Sequence, residues 1–172
     1  MLKMKKEIIR EALKYQNVAT SVEMFIPASG IEQLADNLIL VKEPCGPFVH
    51  KNLGAICIIT TDKTGKIGVI IKDQFFDLLP KFVQEFTMTH EIGHFENDHH
   101  LNGQKNKLPN FMRTFGISNQ MEFEADEYAA RKIGRNRCIK ALEWIQKNTD
   151  LPMATKLEMR QRISHLKKNH AR

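Results

Sequence analysis

The chain has 172 residues, a formal net charge of +6 and 42% hydrophobic residues, enough for one ordinary globular domain with a buried core. Its longest apolar runs, such as residues 55–59, are far too short to span a bilayer as a helix. The excess positive charge lies mainly in residues 3–6, 131–137 and 167–172 without interleaved aromatic side chains. It reads as solvated helix surface and tail, which argues against nucleic acid as a partner.

Cys45, Cys57 and Cys138 are widely spaced, odd in number and contain no Cys-x-x-Cys pair. They form neither a disulfide framework nor a thiolate zinc site. Residues 1–15 are charged throughout and lack the apolar stretch and cleavage site of a secretory signal. Both features lead us to expect a cytoplasmic protein.

In chain order, Ile8, Ile9, Ala12 and Leu13 predict an amphipathic helix over residues 4–16. Residues 30–38 are expected to form a second short helix, and Pro44, Gly46 and Pro47 mark a loop. Residues 54–61 and 67–71 are short β-branched apolar runs separated by Asp62-Lys63-Thr64-Gly65, which predicts a buried hairpin with Cys57 as a small core residue. From Lys81 the pattern turns helical, with Phe82 and Phe86 on one face and Met88, Ile92 and Phe95 on another. A helix apolar on more than one side is central and buried, and this one is expected to end near His99 or His100. Residues 101–118 read as a loop, residues 119–133 as a helix capped by Gly134, and Ile139, Leu142 and Ile145 as a further helix. A last helix is expected over residues 155–168, with Leu157, Ile163 and Leu166 on its apolar side.

The stretch with chemical content is His90-Glu91-Ile92-Gly93-His94. Two histidines one helical turn apart share a face, so both imidazoles reach one metal ion. Glu91 adjoins the first of them, where its carboxylate can contact a metal-bound water. The pattern supplies two zinc ligands and a general base. Its place inside a helix expected to be buried strengthens it, because buried charges need partners.

A catalytic zinc needs a third protein ligand and an open position. One candidate is Glu122, with Asp126 one turn further on the same helix face, placed to accept a hydrogen bond from a ligand histidine. Glu124 points elsewhere and reads as a solvated charge. The rival is His100, which stands at the third-histidine offset of the metzincin pattern. That pattern reserves a glycine for position 97, which is Asn97 here. His99 and His100 otherwise read as polar residues closing the helix, where positive charge is favourable. Glu122 is the preferred ligand, because position 97 lacks glycine and His100 has no equivalent of Asp126.

These residues resemble the gluzincin peptidases of the HtpX heat-shock protease and CAAX prenyl protease type, and their soluble minimal relatives, the minigluzincins. The similar stretch covers residues 54–166. Within it, Ile67-Gly68-Val69-Ile70-Ile71 resembles the strand before the active-site helices. Thr89-His90-Glu91-Ile92-Gly93-His94 is followed by His99, as a histidine often follows in that family. Glu122-Phe123-Glu124-Ala125-Asp126 resembles the family's Glu-x-x-Ala-Asp signature, and Arg162-Ile163 its C-terminal Arg-Ile. The resemblance implies an α+β, zincin-like fold in which a small sheet with a hairpin lies beside two zinc-bearing helices and further helices. It implies His90, His94 and Glu122 as Zn2+ ligands, Glu91 as base, Asp126 as support for a ligand histidine, and Arg162 as the group stabilising charge at the substrate carbonyl. The transmembrane helices of the membrane relatives have no counterpart, and Lys156 stands where relatives often carry a histidine before the arginine. The short gap between His94 and Glu122 also resembles ImmA/IrrE-type peptidases, which cleave repressor proteins.

The expected organisation is an N-terminal helical segment at residues 1–50 and a catalytic domain at residues 51–172, together one compact unit. The expected partner is a peptide or protein substrate, which could add as a strand to the hairpin edge. A zinc-binding module without turnover and a nucleic-acid-binding protein with an incidental metal site are the alternatives from other classes. Pro44-Cys45-Gly46-Pro47 resembles the cysteine switch of latent metalloproteases, though a plain turn accounts for it.

Overall fold

Residues 31–42 form two strands, not the short helix expected over residues 30–38. Strand β1, Ile31–Ala35, pairs antiparallel with β2, Leu38–Lys42. Asp36 and Asn37, both good turn formers, connect them. The periodicity of so short a run is ambiguous. Pairing partners elsewhere in the chain decide it as strand. The computed structural model describes residues 31–42, 57–61, 66–72, 76–99 and 117–168. The helix expected over residues 4–16, the loops around residues 44–47 and 101–116, Cys45 and His100 lie outside these. The chain divides into two compact units, residues 1–78 and 79–172.

The first unit carries the expected hairpin, β3 (Cys57–Thr61) antiparallel to β4 (Gly68–Lys72). Strand β2 pairs parallel with β4, Leu40 opposite Ile70, so the mixed four-stranded sheet has the order β1-β2-β4-β3. Leu38, Ile39, Leu40 and Val41 are all buried. Successive strand residues face opposite ways, so β2 is covered on both faces, which accounts for its unbroken apolar run. A 3-10 turn at Phe76–Leu78 ends the unit.

The second unit is helical, and the class of the described residues is α+β. Helix α1 spans Lys81–Glu96 and starts on the Pro80 carbonyl, which accepts hydrogen bonds from the Val83 and Gln84 amides. It closes a little before His99. The backbone N–H and the side-chain amide of Asn97 both donate to the Gly93 carbonyl, and Asp98 turns the chain out with φ 55°. Helix α2, Ile117–Ile133, and helix α3, Arg135–Asn148, are joined by Gly134 alone, at φ 93°. That conformation suits glycine, as the sequence implied for a helix cap. Helix α4 spans Met153–Lys168.

Val83 and Phe86 of α1, Ala129 and Ala130 of α2, Cys138, Ile139, Ala141 and Leu142 of α3, and Ile163 and Leu166 of α4 form one buried cluster. Each large side chain buried there contributes about 1.5–3 kcal/mol. Ile163 and Leu166 anchor α4 as expected. Leu157 does not, being 55% exposed, so the inward stripe of α4 is rotated away from it. Among the described residues no helix is long and apolar enough to cross a membrane.

Candidate metal centre

The two histidines sit on α1 where that helix comes closest to α2. Gly93 makes the approach possible: a Cβ there would lie 3.0 Å from the Ala125 carbonyl oxygen and 3.1 Å from Ala125 Cα and Tyr128 Cβ. Glycine costs an exposed helix interior about 1 kcal/mol relative to alanine. Here it lets two backbones pack in contact and brings Glu122, one turn before Ala125 and Asp126, opposite the histidines.

His90, His94 and Glu122 are the one group among the described residues placed to hold a metal ion. His90 Nε2 lies 3.2 Å from one Glu122 carboxylate oxygen, and His94 Nε2 lies 3.3 Å from the other. The two Nε2 atoms are 3.0 Å apart. A tetrahedral zinc with ligands at about 2.0–2.2 Å sets neighbouring donors about 3.3 Å or slightly more apart; the two Nε2 atoms stand a little closer than that and each meets a different Glu122 oxygen, so the three groups lie within reach of one metal ion. Each Nε2 meets the Glu122 carboxylate directly, and two imidazoles with a carboxylate are donor types of a catalytic zinc site. The donor set therefore fits zinc. Glu91 follows His90 on α1 and is partly buried.

Behind the ligands lies a buried ionic cluster. His90 Nδ1 is 2.9 Å from Asp126 Oδ1, the contact expected of that carboxylate. Asp126 is fully buried and also accepts a two-pronged hydrogen bond from Arg162, Nε to Oδ2 at 2.8 Å and Nη2 to Oδ1 at 2.7 Å. Arg162 Nη1 reaches Glu122 at 3.0 Å. Arg162 is 5% exposed, and its Nε, Nη1 and Nη2 all meet the two carboxylates, with Nη2 also 3.3 Å from His90 Nδ1. Burial alone would raise the pKa of Asp126, yet the Arg162 charge and hydrogen bonds hold it below the usual carboxylate range. Glu122 likewise overcomes burial through its hydrogen bonds to His90 and His94 and the Arg162 charge, and stays well below that range. For His90, burial and Arg162 press the pKa down, but hydrogen bonds to Asp126 and Glu122 outweigh them and lift it to about 9.

His94 is braced differently. Its Nδ1 lies 2.8 Å from Nδ1 of His99, and His99 Nε2 lies 2.9 Å from Glu124 Oε2. Gln120 Nε2 donates to the other Glu124 oxygen at 2.7 Å. His99 is 7% exposed, so it is not the polar helix end expected from the sequence. Burial lowers its pKa against the opposing pull of Glu124. Glu124 is exposed, as expected of it, but its carboxylate also engages His99 and Gln120. Sequence reasoning missed this pair because both sites lie off the ligand faces. The clue was a histidine just beyond the helix end, where the Asn97-Asp98 turn folds it back. Glu158, one turn before Arg162 on α4, was also missed. It is half-buried, and its carboxyl pKa is raised by burial and then by the Glu122 charge.

No family model matches the chain, nor does any curated protein or solved structure.

Proposed function

We propose that this protein is a zinc-dependent metallopeptidase with a zincin-like fold of the gluzincin kind. The observation that carries the reading is the convergence of His90 Nε2 and His94 Nε2 on the Glu122 carboxylate, with Glu91 supplied by the same helix as the two histidines. A zinc ion held by His90, His94 and Glu122 would supply Lewis-acid chemistry there, acidifying water and polarising a peptide carbonyl. Glu91, beside His90 on the same helix, would act as the general base that takes the water's proton and passes it to the leaving amine. Asp126 fixes His90 with Nδ1 protonated, so that Nε2 presents its lone pair. With three nitrogens held on Asp126 and Glu122, Arg162 supports the ligands in this reading, in place of the substrate carbonyl that the family resemblance implied. The substrate is a peptide or protein, and the cysteine pattern supports a cytoplasmic setting. An ImmA/IrrE-type peptidase would use the same residues on a single regulatory protein.

The test measures metal content and casein cleavage with and without a chelator. Wild type should carry about one zinc per chain. Glu91→Gln should keep it while losing about 10²–10⁴-fold in hydrolysis. Full hydrolysis in that variant would overturn the mechanism, and bound zinc without turnover in wild type would favour a zinc-binding module. Zinc lost in His100→Ala but kept in Glu122→Ala would move the protein to the metzincin arrangement.

A further inference from the structure

His90 and His94 face the same point, but only His90 has a carboxylate on its Nδ1, whereas that of His94 meets another imidazole. We propose that His99 and Glu124 set the tautomer of His94 and so hold its Nε2 lone pair on the metal position. The inference rests on the metal reading above and deepens it.

The argument is one of donor and acceptor matching along a chain of contacts. An ionised carboxylate only accepts hydrogen bonds. Both Glu124 oxygens are used, Oε1 by the Gln120 amide and Oε2 by His99 Nε2. His99 must therefore carry its proton on Nε2. A neutral imidazole has one donor and one acceptor, so His99 Nδ1 is left as an acceptor. Its partner at 2.8 Å is His94 Nδ1, which must then be the donor. With the His94 proton on Nδ1, its Nε2 carries the lone pair, and Nε2 is the atom facing His90 and Glu122. Had the carboxylate contacted His99 through Nδ1, the chain of roles would run differently.

The two ligand histidines are thus braced by unlike means. Asp126 and Arg162 hold His90 from the core. His94 is held through a second imidazole by Glu124, whose side chain is 45% exposed. His99 and Glu124 are positioning residues, since neither touches the metal position. Partners of this kind are worth about 10–100-fold in metal affinity.

The experiment has a metal arm and a metal-free arm. Zinc affinity is measured by chelator competition for wild type, His90→Ala, His94→Ala, His99→Leu, His99→Asn and Glu124→Leu. His99→Leu should weaken zinc about 10–100-fold. His99→Asn, whose amide oxygen can accept from His94 Nδ1, should recover most of that loss. In the apo protein, long-range nitrogen–proton NMR correlations should show His94 protonated on Nδ1 and His99 on Nε2, with the His99 preference lost in Glu124→Leu. If His99→Leu does not fold, Glu124→Leu decides, because its partly exposed site tolerates truncation: a several-fold loss of affinity with the tautomer change supports the relay, and no change in either sinks it. Zinc lost in the His90 and His94 variants but kept at wild-type strength in His99→Leu refutes the relay alone. Zinc affinity in wild type no stronger than in His90→Ala and His94→Ala removes the metal reading and the relay with it.

Discussion

Gly93→Ala puts the α1–α2 contact to the test. The added Cβ would stand 3.0–3.1 Å from the Ala125 carbonyl oxygen, Ala125 Cα and Tyr128 Cβ. Comfortable carbon contacts begin near about 3.5 Å, so the helices must separate by roughly 0.4 Å. Ala125 O and Cα are backbone, so no side-chain rotation relieves the clash. Overpacking of this kind costs about 1–3 kcal/mol, and the better helix propensity of alanine returns about 1 kcal/mol. The net loss expected is about 1 kcal/mol, or about 4–8 °C in melting temperature for a helical unit of this size. The same displacement carries Glu122 away from His90 and His94, which it meets at 3.2 and 3.3 Å. Sites of this type must be held to within about 0.5 Å, and a shift of roughly 0.4 Å takes up most of that margin, so zinc affinity should fall by no more than about tenfold, equal to about 1.4 kcal/mol. Thermal melts of the apo protein and chelator competition read the two effects separately. A variant that melts higher than wild type and binds zinc equally well would show that Gly93 does not set the helix spacing.

Three further outcomes are expected. Asp126→Asn leaves Arg162 buried with half its partners gone, so urea unfolding should show a loss of about 3–5 kcal/mol; a loss under about 1 kcal/mol would mean that the cluster relaxes or hydrates. Leu142→Ala, at a fully buried position, should cost about 2–5 kcal/mol, while Leu157→Ala should stay within about 0.5 kcal/mol, both read by the same titration. Burial pushes the Cys138 thiol up to about 12. Since the thiolate is the reactive form, alkylation at pH 8 mapped by mass spectrometry should miss Cys138 in the native protein and reach it in urea.

Local spacing made several features legible. His90 and His94 share a helix face by their separation alone, and Glu122 and Asp126 do the same on the next helix, so the candidate triad and the His90–Asp126 contact were readable before any fold was known. The β3–β4 hairpin and the helices α2 to α4 followed from apolar periodicity and from Gly134. Residues 31–42 did not, because Glu32, Gln33 and Ala35 suit a helix as well as a strand. What makes them strands is a sheet in which β2 runs parallel to β4, a pairing between distant segments. The roles of Arg162, His99 and Glu124 were equally closed to the sequence. Arg162 reads locally as one more cation on a polar helix, and becomes a buried fork only because α4 delivers it to Asp126. His99 meets both His94 and Glu124 because Asp98 reverses the chain at the end of α1 and Gly93 lets α2 come within contact of it. Helical spacing decides which side chains share a face. Which distant group completes their hydrogen bonds depends on where the helices pack and where the chain turns.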